Sequence, residues 1–178
     1  MRTRATQMYR RSVFTFTALV AFGLATLPTV AIGQQKTIKD QIAGSWTFVS
    51  AANVLPDGSR IDQWGPNPKG LLIFDGSGHF AFFITRSDLA KFAAKTVTEG
   101  TTAEYKAVMT GLVASFGTYT VDEADRTVIT HVEGSSFPNL IGLDQRRLIM
   151  TLTADELKYA NPVNTTNGTA EAIWRRTK

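Results

Sequence analysis

The sequence predicts an all-β fold: roughly eight short antiparallel strands closed into a barrel, with a short N-terminal helix and a helical insertion around residues 87–113. Short runs rich in β-branched and aromatic side chains alternate with Gly, Pro, Asp and Asn turns from Trp46 onward. Helical spacing interrupts that pattern in one segment. A single chain carrying this many short strands leaves edges exposed unless the sheet closes on itself, and closure is what a barrel provides.

A leader comes first. "MRTRATQMYRRSVFTFTALVAFGLATLPTVAIGQQ" has a positive start, an apolar run from Val13 to Leu27, a breaker at Pro28, and small residues at Ala31 and Gly33. That order is a signal peptide, 1–33, with cleavage expected after Gly33. The apolar run of roughly 15 residues falls short of the ~20 that span a bilayer. The Arg10-Arg11 pair raises twin-arginine export beside the general route, and the two stay open. The mature domain is then 34–178, exported to the periplasm or secreted.

The leader also accounts for the charge. The whole chain has 178 residues, 43% hydrophobic, with a formal charge of +4. Taking Arg2, Arg4, Arg10 and Arg11 from the 19 basic residues leaves 15 against 15 acidic ones, a formal charge of zero. A nucleic-acid partner needs a basic face on the folded domain, and the totals offer none. There are no cysteines, so disulfides, thiolate nucleophiles and thiolate metal sites are excluded. The hydrophobic core alone must hold the domain together. Two distant histidines make no metal site, and no cofactor motif is present.

The elements follow in order. Ile38 and Ile42 share one face of a short helical turn that Gly44 ends. "WTFVSAANVL" switches to a period of two, "PDGSR" turns, and "WGPNPKG" cannot be regular. "LLIFDGSGHFAFFIT" is a hairpin, its second arm putting Phe80, Phe82 and Ile84 on one face and His79, Ala81 and Phe83 on the other. Ser87 or Asp88 can cap a helix over "DLAKFAAK". A second helix follows, starting near Thr101 and Glu104, with Tyr105, Val108, Met109 and Leu112 as an apolar stripe that packs on the sheet or closes one end of it. Strands resume after Gly117 as "TYTVD", "TVITHVEG", "RRLIMTLT", "LKYANP" and "AEAIWRRT". "NPVNTTNGT" is a polar loop.

Three stretches carry a resemblance: "DGSRIDQWGPNPKGLLIFDGSGHFAF", "EYKAVMTGLVASFGTYTVDEADRTVITHVEGSSFPNLIGLDQRR" and a closing "IWRR", with the Gly-x-Trp of "IAGSWTFVSA" before them. Together they resemble the bacterial and fungal lipocalin-like domain family from Ile42 to Arg175. The resemblance implies a lipocalin-type, calycin barrel with a central cavity. Related barrels act in natural-product pathways as binding or cyclising proteins, so it implies no single activity.

A candidate site lies around "THVEGSSFPNLIGLDQRR". Thr127, Ile129, His131 and Glu133 share a face of one strand. Arg146, Leu148, Met150 and Leu152 form the more apolar, hence inward, face of another. If the His131 face is inward too, His131, Glu133 and Arg146 gather at one mouth of the cavity under the Phe137-Pro138 loop, within reach of Tyr119. Three roles stay open: a buried ion pair that fixes the register, polar anchors for a ligand, or acid-base catalysis by His131 and Glu133. Phe82, Phe83, Tyr119 and Met150 are wall candidates, and Trp64 is a lid or a plug. The leading expectation is an exported monomer binding a small, mostly apolar molecule. A cofactor-independent isomerase or cyclase is the alternative, and a plugged barrel that binds another protein is the third. A cavity of several hundred Å3 would favour the first two.

Overall fold

Thr37 opens the first element. Its hydroxyl accepts from the Asp40 N–H while the Asp40 carboxylate accepts from the Thr37 N–H, a reciprocal cap that starts helix α1 (Ile38–Ile42). The structure, a computed structural model, describes residues 36–162 and 168–178. The expected leader, its cleavage point and most of the 161–169 loop lie outside those residues. Gly44, at φ +123°, turns the chain from α1 into the first strand, an angle that strains any residue with a side chain.

Nine strands follow among the described residues: β1 (Gly44–Val54), β2 (Arg60–Asp62), β3 (Lys69–Phe74), β4 (His79–Thr85), β5 (Leu112–Asp122), β6 (Thr127–Ser135), β7 (Asp144–Leu152), β8 (Glu156–Asn161) and β9 (Thr169–Arg176). β3 to β9 pair in sequence order, all antiparallel, and β1 pairs with β9 to close the ring. β1 is long enough for two partners on its other side: β3 alongside Gly44–Thr47, and β2 alongside Ala52–Val54. The result is the expected closed antiparallel barrel of eight strands, with β2 as one extra strand laid on β1. β5 and β6 slip register at Phe116/Gly117, where the chains come so close that a Cβ on Gly117 would lie 2.0 Å from the His131 carbonyl.

The helical insertion differs from expectation in its first half. Helix α2 (Thr102–Gly111) forms, capped by Thr101 and Glu104 as its sequence predicts. Residues 88–95 are not helical. Both expected caps are engaged elsewhere: Asp88 takes a two-point bond from Arg86 (2.6 and 2.8 Å), and the Ser87 hydroxyl donates to the Pro66 carbonyl. So short a segment needs its cap to nucleate. The Tyr105 stripe divides: Met109 and Leu112 border one end of the barrel, as expected, while Tyr105 faces the insertion itself. Its ring meets Phe92 edge-on at 5.6 Å and its hydroxyl donates to the Val97 carbonyl. β5 starts directly from α2, six residues before the strand expected after Gly117.

Side-chain size sets what the barrel interior holds. Near the α1 end, β1 points Trp46 and Phe48 inward, β3 Phe74, β4 Phe80, β8 Leu157 and β9 Trp174. These rings and branches fill that half, and Ile38 and Ile42 of α1 close it. The Trp46 indole N–H donates to the Ile42 carbonyl at 2.8 Å. Arg176 lies 4.0 Å over the Trp46 ring and donates to the carbonyls of Gln41, Ala43 and Ala154, tying helix, strand and turn together. Further along the same two strands the inward residues are Ala51, Asn53, Ala172 and Ala170. Small side chains there leave space, and that half is hollow.

Candidate functional site

The hollow half is a cavity of about 920 Å3. Phe82 and Ile84 of β4, Val113 of β5 and Tyr159 of β8 form its apolar wall, with the alanines of β1 and β9 opposite. Its mouth is framed by Trp64, by Met109 of α2 and Leu112 at the start of β5, and by Phe137, Leu140 and Leu143 from the loop between β6 and β7. A short 3₁₀ turn (Pro138–Leu140) shapes that loop. Trp64 meets Phe48 edge-on at 6.4 Å, so its ring bridges the mouth and the filled half.

One charge is buried in this wall. Arg147 of β7 is 5% exposed and faces the cavity. Its guanidinium carbon lies 5.7 Å from the centres of both the Phe82 and Tyr159 rings. Nη1 donates to the Thr130 hydroxyl, and Nη2 donates to the Gln145 side-chain carbonyl at 2.8 Å. Both acceptors are neutral. Among the described residues no carboxylate lies within ion-pair distance of Arg147.

The expected cluster of His131, Glu133 and Arg146 does not form. On β6, beyond a buried Thr127 at its start, Val128, Thr130 and Val132 are the buried side chains, so His131 and Glu133 point outward. His131 Nδ1 pairs with Asp144 at 2.8 Å on the outer surface, and half of its side chain is exposed. Arg146 also points out, its Nη2 4.0 Å from Asp125, although its residue borders the mouth. Met150 and Phe83 are outward and exposed. Tyr119 is inward but belongs to the filled half. Its ring packs on Phe74 at 4.8 Å and its hydroxyl donates to the Asp75 carbonyl at 2.7 Å, while burial, ahead of the Asp75 and Asp40 carboxylates, pushes its phenol up. Of the expected site residues, Trp64, Phe82 and Phe137 line the cavity, and Arg146 borders it. No histidine lines it among the described residues, so the acid-base role drawn for His131 loses its geometry.

Two causes explain the misplacement. In "RRLIMTLT" the face with more apolar residues reads as inward, but β7 carries a bulge between Ile149 and Thr151. Ordinary alternation from the buried Arg147 puts Ile149 in and Leu148 and Met150 out to water, and the bulge then turns Leu152 inward, so the apolar count of the 146/148/150/152 face joined residues that do not share a side. The second cause is that an inward arginine violates the polarity rule. The pair Arg146-Arg147 did hold a signal: adjacent strand residues face opposite ways, so one of the two had to point in.

No curated protein sequence matches the chain. Among solved structures, it is similar to a lipocalin-like protein from Bacteroides uniformis, at 14% identity over 77% of this chain and 99% of that one, TM-score 0.41. Bovine odorant binding protein in complex with a selenium-containing odorant is 15% identical over 80% of this chain and 74% of that one, TM-score 0.39. A redesigned β-barrel is 12% identical over 81% and 98%, TM-score 0.41. Residues 43–177 match the family described as lipocalin-like domain, which takes in every strand of the closed ring. The chain belongs to the lipocalin-like domain family.

Proposed function

We propose that this is an exported, monomeric binding protein whose mature domain, residues 34–178, takes a small, mostly apolar molecule into the hollow half of its barrel. The observation that carries the reading is the cavity. Its volume of about 920 Å3 and its apolar wall with a few convergent polar groups suit a small-molecule site. Lipocalin-type barrels generally hold small hydrophobic ligands, which supports the same reading. Barrel closure leaves little strand edge for self-pairing, which favours a monomer. No helix among the described residues is long and apolar enough to cross a membrane. Export rests on the leader itself, with its arginines, apolar run and Ala31-Ile32-Gly33.

Native mass spectrometry of protein purified from its own host tests the binding reading, by looking for a co-purifying small molecule. In parallel, the neutral dye N-phenyl-1-naphthylamine should bind saturably, one per chain, with a rise in fluorescence. Neither a bound molecule nor dye binding would leave the reading without support. The intact mass of the exported protein should begin at Gln34; a mass retaining residues 1–33 overturns the cleavage.

A further inference from the structure

We propose that the occupant carries a carboxylate, and that Arg147 receives it. This deepens the binding reading above and rests on it. A guanidinium taken out of water is costly unless a partner compensates it. Arg147 is 5% exposed, and its hydrogen bonds go to a neutral hydroxyl and a neutral amide oxygen. A guanidinium has five N–H donors, so these two bonds leave three for another acceptor.

Arg176 makes the contrast. In the filled half all three of its nitrogens donate to main-chain carbonyls and its plane covers Trp46, which makes it a structural tie. Arg147 is held from the sides instead. Phe82 and Tyr159 flank it, and Thr130 and Gln145 fix its tilt. All of this aims a planar fork at a cavity whose wall is mostly apolar, with Gln63, Thr110, Ser136 and Asn161 as its further neutral polar residues and the outward-pointing Arg146 at its border. Asp144 is the one carboxylate that borders the cavity among the described residues, and it is taken by His131 at the surface. A fork of this kind matches a carboxylate two-point for two-point. The ligand class is thus an amphipathic monocarboxylate, its apolar body against Phe82, Ile84 and Leu140 and its acid group at Arg147.

The test is competition against bound N-phenyl-1-naphthylamine by decanoic acid and by decan-1-ol, above the pKa of the acid. The wild-type protein should prefer the acid by about 10- to 100-fold, the range of a hydrogen-bonded charge pair. Arg147→Gln should bring that ratio close to one, and Arg147→Lys should leave an intermediate ratio, since charge persists without the fork. Arg175→Gln, an exposed arginine on the outer face, should keep the wild-type ratio. Equal displacement by acid and alcohol in the wild type overturns the proposal while leaving the cavity as a binding site. So does an acid preference that survives Arg147→Gln. Should Arg147→Gln fail to fold by circular dichroism, the wild-type ratio and Arg147→Lys decide. If the wild type binds neither the dye nor a co-purifying molecule, the binding reading fails and this proposal with it.

Discussion

Asp75 sits in the turn between β3 and β4, where its carboxylate accepts from the His79 N–H at 2.7 Å and the Ser77 hydroxyl at 2.8 Å. The His79 bond first, and the Ser77 bond next, hold its pKa down to about 2. A carboxyl depressed in the folded state favours that state once the unfolded chain would also be ionised. The stabilisation is therefore present above the ordinary value of 3.8 and is lost as the pH falls towards about 2. Asp75→Asn should flatten that part of the acid limb. Urea midpoints measured across the window check it, and an unchanged acid limb would show that the turn contributes nothing there. At this scale sequence reading succeeded with the turn, because Asp-Gly-Ser-Gly states its own conformation. With Arg146 and Arg147 it failed: which of two neighbours enters a barrel depends on the register of the next strand, information that lies in neither residue.

Helix α1 is an element too short to stand alone, and its anchor comes from far along the chain. The Glu123 carboxylate, in the turn between β5 and β6, accepts from the N–H groups of Ile38 and Lys39 at 2.9 and 3.2 Å. It serves as a second cap at the positive end of the helix. Glu123→Gln should cost about 1 kcal/mol, the usual worth of a cap. Amide hydrogens of Lys39–Ile42 should exchange faster while those of β8 do not, as hydrogen exchange read by mass spectrometry can report. Uniform exchange rates across the two elements would place the anchor elsewhere. The cap at Thr37 was not singled out in the sequence, where only the Ile38/Ile42 face was read. The long-range cap was invisible, since Glu123 is an ordinary turn residue until the barrel closes. For the same reason residues 88–95 looked helical: local spacing favoured a helix, and the competing partners Arg86 and Pro66 were tertiary.

Across the whole molecule, the closed ring was legible because it follows from strand count, turn spacing and the penalty on open edges. The hollow was not, because it depends on which alanines face in. Trp46 and Phe48 precede Ala51 on β1, and Trp174 follows Ala170 and Ala172 on β9. Ala172→Phe should fill the hollow half, reducing dye affinity at least about 10-fold while costing no more than the ~1–3 kcal/mol typical of overpacking. Titration and thermal melts on the same sample test this; undiminished binding would show that the dye sits elsewhere. This gradient from large to small residues along shared strands has a consequence for variation in the barrel. Substitutions at the alanine end can reshape what is accepted without disturbing the tryptophans that secure the chain. Selectivity can drift from one descendant to the next while the scaffold keeps its strength.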